Sequence, residues 1–325
     1  MTDNNELQPA TRVICVGLGA IGRAALDECV RRDDVEVVAA VDPARAGEAL
    51  GSIEVVGSIQ ELTDAQLDAD VAIVATGSSV PAVAADAQLL IEAGLHVVSS
   101  CEALVYPWLR HGETSSELDA VARAHGRAVV GTGVNPGFVM DVAPVMALSV
   151  CIAPRAISVT RNVDLSRRRP QLPEKLGVGC TVDEWQRRAD GPGLGHAGLE
   201  ESAALCAVGA GWSVGSASFE RGPVVADGSV IGIREVATVD AGDGRSVSLE
   251  LVFSMEGEDV DRIVIDADAG VEMTLTGVHG DRATVARLVH AATVVAAVPA
   301  GLRLPIELPG WAGATAAVVE PQAAA

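Results

Sequence analysis

Glu102 is the residue whose setting most invites chemistry. The apolar run 95–98 ends in Ser99, Ser100 and Cys101, and the carboxylate follows at once. A buried parallel strand reads as a continuous apolar run. Ligands of open α/β sheets sit beyond the carboxyl ends of such strands. A carboxylate at that edge suits general acid–base work. The turn Tyr106-Pro107-Trp108 would shield it from water. The same glutamate also fits the plain first turn of a helix, where the dipole favours an acid.

A second constellation lies near the amino end. Gly17-Leu18-Gly19-Ala20-Ile21-Gly22 follows an apolar strand and opens a helix, and a second strand ends at Asp42. This is the dinucleotide-binding glycine fingerprint in its required setting. Gly17 permits the tight turn, Gly19 lets a pyrophosphate approach, and Gly22 lets the helix pack on the strand. The free N–H groups of the helix start, at Ala20 and Ile21, face the phosphates. Asp42 lies 25 residues after Gly17, near the usual ~20. A carboxylate there accepts from the ribose 2′-hydroxyl and repels a 2′-phosphate. NAD is therefore the expected cofactor; Arg45 nearby leaves NADP use open.

Four more residues have side chains suited to a site. Thr76 and Ser78 end another apolar strand and leave room for a cofactor, although an N-cap serine would look the same. Asn135 precedes Pro136 and is pushed towards extended geometry, so its amide can meet a nicotinamide carboxamide; Asn-Pro-Gly is also simply a strong turn signal. Arg161 carries a planar fork suited to a substrate carboxylate, and His196, in a glycine-rich loop, can add a donor. An ion-paired arginine and a structural histidine are the alternatives. The basic loop 166–172, with three successive arginines, suits anion steering or plain surface pairing.

The elements that position these residues follow from periodicity. Strands are predicted over 12–16, 35–41, 71–75, 95–98 and 128–130, alternating with helices from the glycine turn to about 31, over 81–93 and over 113–125. Gly94 and Gly126 close the last two helices. Alternating strand and helix means a doubly wound parallel sheet. The rhythm changes near residue 150. A strand is predicted over 156–164, a helix over 199–210, and strands over 216–225, 229–239, 246–255, 259–265 and 271–276. Ala-Asp-Gly and Gly-Asp-Gly read as hairpin turns. The expected fold is thus a Rossmann-type parallel sheet plus a second α+β domain with a mostly antiparallel sheet. A dinucleotide-binding domain is expected over 1–145 and a substrate and dimerisation domain over 146–280. Over 281–325, a helix (282–298) and tail should return to the first domain. Residues 1–10 and 321–325 look frayed.

Composition narrows the function. The 325 residues carry 44 acids against 23 bases, a net charge of −21. That argues against nucleic acid and anionic membranes as partners. Aromatic residues are only 2%, so the core must be aliphatic. Lys175 is the only lysine, which leaves one candidate for Schiff-base chemistry. Six scattered cysteines without a C-x-x-C pair suggest neither a disulfide framework nor a metal site. With no signal peptide or membrane-length apolar run, the cytoplasm is the expected location.

Five segments carry a family resemblance: 98–108, 131–141, 161–169, 175–179 and 195–202. In them the chain resembles the 2,4-diaminopentanoate dehydrogenases and the native amine dehydrogenases, whose fold is similar to dihydrodipicolinate reductase. The resemblance spans residues 12 to about 310. It implies that Glu102 is the catalytic carboxylate, that Arg161 and His196 stand near the far end of the substrate, and that the protein is a homodimer. It implies reversible reductive amination of a short ketone, aldehyde or oxo-acid such as 4-oxopentanoate, with ammonia as second substrate. Two alternatives remain: 2,4-diaminopentanoate dehydrogenase proper, and a dihydrodipicolinate reductase-like reduction of C=O or C=C. Against the latter, the chain lacks a His-His pair followed by Lys and Ser-Gly-Thr. One departure from the family pattern is Glu102-Ala103 where Glu-Glu is expected; another is the loop around Pro192.

Overall fold

A computed structural model describes residues 9–168, 170–189 and 193–309. Most of the two ends that look frayed in the sequence, Arg169 of the basic loop, and Pro192 lie outside the described residues.

The first layer is an eight-stranded sheet in the order β14-β7-β6-β5-β1-β2-β4-β3. Its strands are β1 (Thr11–Val16), β2 (Val35–Val41), β3 (Ala49–Leu50), β4 (Ile53–Val56), β5 (Val71–Val74), β6 (His96–Ser99), β7 (Ala128–Gly131) and β14 (Gly301–Arg303). All neighbours run parallel except the short β3–β4 pair. The strand cores are Val, Ile and Ala with little exposure, as expected for a sheet covered on both faces. On one face α1 (Ala20–Val30) packs beside α9 (Gly280–Val294), with Leu26, Cys29, Leu288 and Ala292 in one apolar cluster. On the other, α3 (Val80–Glu92) and α4 (Gly112–Ala124) bury Val83, Leu90, Leu118 and Ala122. Between β4 and β5 lies the single-turn α2 (Asp64–Leu67). No helix of the described residues is long and apolar enough to cross a membrane.

The second layer is a six-stranded sheet, β13-β12-β8-β11-β10-β9. It comprises β8 (Ala156–Asp164), β9 (Ser216–Ala226), β10 (Ser229–Gly242), β11 (Arg245–Ser254), β12 (Val260–Asp266) and β13 (Val271–Thr276). The predicted hairpins form at Asp227-Gly228 and Asp243-Gly244, where every residue has positive φ, the geometry that tight two-residue hairpins need. The sheet is mostly antiparallel, but β8 and β11 pair in parallel. Short-range signals could not show this, because the chain between them holds α6 (Gln171–Lys175), α7 (Val182–Ala189), α8 (Leu199–Gly209) and a whole hairpin. Ala203, Cys206 and Ala207 of α8 cover one face of this sheet, in a cluster with Ile233, Leu249 and Leu251. The short α5 (Val142–Ala147) leads from the first sheet to the second.

Candidate active site

The glycine turn is built by close approach. Gly17 has φ +84°, and a Cβ there would lie 2.8 Å from the Ala75 carbonyl oxygen. A Cβ on Gly22 would lie 1.8 Å from the Gly17 carbonyl oxygen, so α1 can rest on the turn only if that residue is glycine. Gly19 differs: nothing lies within 4 Å of its notional Cβ. It opens α1 with no side-chain cap, so the first N–H groups of the helix have no internal partner. That open space at a helix start fits a pyrophosphate.

Asp42 stands at the end of β2 but does not line the cavity described below. Its Oδ2 accepts from the Leu18 N–H at 2.7 Å and its Oδ1 from the Ala44 N–H at 2.8 Å. The carboxylate therefore braces the glycine turn. Each oxygen keeps acceptor capacity for a ribose hydroxyl.

A cavity of about 470 Å³ runs from this turn along the carboxyl ends of the parallel strands to the second sheet. It gathers Gly19, Ala20 and Ile21 at one end, Thr76, Ser78 and Glu102 in the middle, and Asn135, Arg161 and His196 beyond. Gly17 and Gly22 shape the turn beneath it. A cavity of about 560 Å³ at the opposite ends of the strands, bordered by Arg12, Asp70, His96 and Arg127, holds none of these groups.

Glu102 opens a 3₁₀ turn, Glu102–Val105, three residues past the end of β6. Ser99 fixes the approach: its hydroxyl donates to the Val74 carbonyl at 3.0 Å and accepts from the Cys101 N–H at 3.1 Å. The carboxyl is largely buried, and burial pushes its pKa up. Its own backbone N–H, the Ser78 hydroxyl and the charge of Lys175 pull it back down in part. Gly198 (φ +89°) presses on it from above, with its notional Cβ 2.9 Å from Glu102 Cβ and 2.5 Å from Pro136 Cγ. Ser78 thus meets the carboxylate as well as the cavity.

Asn135 precedes Pro136 through a cis peptide bond. Its Oδ1 is buried without a hydrogen-bond partner. A buried orphan acceptor calls for an amide or ammonium donor from a bound molecule, and a nicotinamide carboxamide supplies one. Its backbone carbonyl is 3.0 Å from His196 Nε2. A carbonyl only accepts, so that nitrogen carries the proton and Nδ1 is left as an acceptor. Burial, with Lys175, Arg161 and Arg221 adding to it, holds the imidazole down to about 4, against the pull of the Asn135 carbonyl. His196 is therefore neutral at pH 7. The donor expected of it is already spent on Asn135.

Arg161 is 4% exposed. It sits directly across from Asp261 in the β8–β12 register. Its Nη1 reaches both Asp261 oxygens, at 2.9 and 2.8 Å, and its Nη2 reaches the Val278 carbonyl at 3.3 Å. Burial pushes the Asp261 carboxyl up to about 6, against the pull of the guanidinium. The arginine expected to read a substrate carboxylate lines the cavity, but its Nη1 is committed to a protein carboxylate and its Nη2 donates to a backbone carbonyl. Arg168 of the basic loop is likewise paired, with Asp259.

Two wall residues, and a third behind the wall, escape a reading by motif. Lys175 ends α6 and lines the cavity; its uniqueness was visible, its place was not. Phe253 of β11 stands 6.2 Å, centroid to centroid, from the His196 ring. Glu235, fully buried on β10, accepts from the His196 backbone N–H at 3.1 Å and pairs with Arg221 at 2.6 Å, and so fixes the His196 loop.

Comparison with known proteins now bears on this geometry. Residues 138–321, more than half of the chain, match the model of the 2,4-diaminopentanoate dehydrogenase C-terminal domain. Residues 8–101 match a CoA binding domain model. A curated 2,4-diaminopentanoate dehydrogenase of Acetoanaerobium sticklandii is 30% identical over 233 residues, 66% of this chain and 65% of the relative's length. Among solved structures, the amine dehydrogenase of Mycobacterium smegmatis superposes with a TM-score of 0.78 at 20% identity, covering 93% of this chain and 97% of its own. GenD2 from gentamicin A biosynthesis, solved in complex with NAD, gives 0.53 at 16% identity, covering 82% and 73%.

Proposed function

The chain belongs to the family defined by the 2,4-diaminopentanoate dehydrogenase C-terminal domain, and from that membership we propose that it is an NAD(P)-dependent amine dehydrogenase catalysing the reversible reductive amination of a short ketone, aldehyde or oxo-acid with ammonia. The observation that carries the reading is Glu102: a largely buried carboxyl in a cavity that runs on to an uncapped, glycine-lined helix start.

The dinucleotide supplies hydride when bound. Ala20 and Ile21 would meet its pyrophosphate with backbone N–H groups. Asp42 would accept from the ribose, and Asn135 Oδ1 would accept from the carboxamide. Thr76 and Gly77 leave the wall low between these points. Glu102 does the proton work. Its carboxylate takes a proton from the nitrogen as ammonia adds and passes it to the carbonyl oxygen, giving the carbinolamine; reprotonated from ammonium or water, the carboxyl then protonates the hydroxyl, which leaves as water. The negative charge faces the iminium that remains and favours it in a largely desolvated site. Ala20, Ile21 and Asn135 would hold the dinucleotide so that the hydride it supplies could reduce this iminium to the amine. In the reverse direction the same carboxylate serves the water that attacks the iminium.

The test is NADH oxidation with a panel of short ketones and oxo-acids, with and without ammonium. Ammonium-dependent oxidation is the expected result. Oxidation at the same rate without ammonium would make the protein a plain C=O or C=C reductase.

NAD preference is part of the same proposal. Asp42→Ser should raise kcat/KM for NADPH relative to NADH by at least about tenfold, since a like-charge contact costs several kcal/mol. Both affinities should also weaken, because the Leu18 N–H loses its carboxylate partner. An unchanged ratio in steady-state kinetics would mean that Asp42 only braces the turn.

A further inference from the structure

Glu201 is a buried carboxyl that the mechanism does not use. It stands in the first turn of α8, 2% exposed, and its Oε2 has no hydrogen-bond partner among the described residues. Its Oε1 lies 3.5 Å from Nη1 of Arg110, a half-exposed side chain whose Nη2 also donates to Glu200. Burial pushes the Glu201 carboxyl up, and Arg110 and His111 pull it back down in part. Stability does not account for this arrangement. A first-turn acid is favoured by the helix dipole, but Glu200 supplies that charge from a more exposed place. A buried ion pair gains little over well-packed apolar groups, and an oxygen left without a donor adds a cost. Such a group calls for a role.

What the contact joins supplies that role. Glu102 opens a segment of two 3₁₀ turns, Glu102–Val105 and Pro107–Leu109, and Arg110 closes it. Both ends of the segment rest on the start of α8. At one end the notional Cβ of Gly198 lies 2.9 Å from Glu102 Cβ. At the other, Arg110 reaches Glu200 and Glu201. Gly198 and Glu201 are one turn apart on the helix, and the Glu201 charge also acts on Cys101, the residue before Glu102. Short 3₁₀ turns have poor internal hydrogen bonds, so the segment depends on these two attachments. We propose that Arg110 and Glu201 are positioning residues for Glu102: their contact keeps the segment 102–110 seated on α8 and so keeps water from the carboxyl. Neither residue lines the cavity. The proposal rests on the proton-transfer role of Glu102 and adds to it the groups, outside the cavity, that hold Glu102 in place.

The experiment compares the native protein with Arg110→Met, Arg110→Lys and Glu201→Gln, assayed across pH with 4-oxopentanoate, ammonium and NADH. In Arg110→Met kcat should fall by about 10- to 100-fold, the effect of misplacing a reacting group by roughly 1 Å. KM for NADH should change little, because the glycine turn is remote from α8. The acid limb of kcat/KM should move down towards the ordinary carboxylate range, since burial is what raises the Glu102 carboxyl. The sign separates causes: losing a positive charge would by itself push a carboxyl up, so a downward move reports entry of water. Lys175 and Cys101 act on Glu102 by charge, and Arg161, Arg168, His196 and Asp281 share its cavity; none of them is altered. Glu201→Gln should move the limb in the same direction, and Arg110→Lys should restore most of the native behaviour. An unchanged kcat or an unmoved acid limb in Arg110→Met, whatever happens to Tm, would overturn the proposal. If the native protein turns over no short ketone or oxo-acid, the amine dehydrogenase reading fails on its own. NMR titration of isotope-labelled glutamate carboxyls, with the Glu102 signal assigned by its loss in Glu102→Gln, then decides the role of the contact. A lower Glu102 midpoint in Arg110→Met than in the native protein supports it, and equal midpoints overturn it.

Discussion

Glu102→Ala should lower turnover by about two to four orders of magnitude, the usual range for a general acid–base residue, while NADH affinity changes little. The two effects separate because the residues differ. Gly19 and the start of α1 stand at one end of the cavity, with Asp42 bracing the glycine turn behind them, and Glu102 in the middle. Glu102→Gln sharpens the test: it keeps the shape and a partner for Ser78 but cannot take a proton. The pH profile gives an independent readout. Burial raises the Glu102 pKa above the ordinary glutamate value of about 4.3. The base form is lost as pH falls through that raised value, so the acid limb of kcat/KM should lie above the ordinary carboxylate range. Glu102→Gln should lack that limb. Stopped-flow turnover with fluorescence titration of NADH measures both halves. Near-native turnover in either variant would make Glu102 a structural carboxylate and end the mechanism.

The legibility of this site follows from the range over which each feature acts. The parallel strands and the glycine turn were readable because their causes are local. A buried strand needs an apolar run, and Gly17 and Gly22 are forced by contacts within one strand-turn-helix unit. Glu102 was readable as a place, since it follows a strand end, but its 3₁₀ turn and its contact with Gly198 join segments about a hundred residues apart. The helices α2 and α5 to α7, of four to eight residues, span too few turns to show a helical period, and β3 and β4 carry no long apolar run. The partners of Arg161 and His196 were invisible for a different reason. Asp261 faces Arg161 only through the β8–β12 register, and Glu235 meets the His196 loop only because β10 passes beneath it. An arginine looks the same in sequence whether its fork is free or filled.

That difference has a measurable consequence at Arg161. Arg161→Leu should destabilise the protein by about 3–5 kcal/mol, the cost of leaving one partner of a buried ion pair uncompensated. A loss of that size lowers Tm by roughly 2–4 °C per kcal/mol in a domain of 150–250 residues. The sign with pH identifies the cause. The Asp261 carboxyl is already pushed up to about 6 with the arginine in place, and removing the opposing charge drives it higher. A carboxyl whose pKa is raised in the folded state buries no charge below that value and must bury one above it. The deficit of Arg161→Leu against the native protein should therefore grow as pH rises through 6 and shrink as pH falls below it. Arg161→Leu with Asp261→Leu removes both charges and should recover much of the lost stability. Thermal melts of the three proteins across this pH range make the measurement. A single variant that melts like the native protein, yet loses activity on 4-oxopentanoate alone, would make Arg161 a reader of the substrate carboxylate and not a structural ion-pair partner.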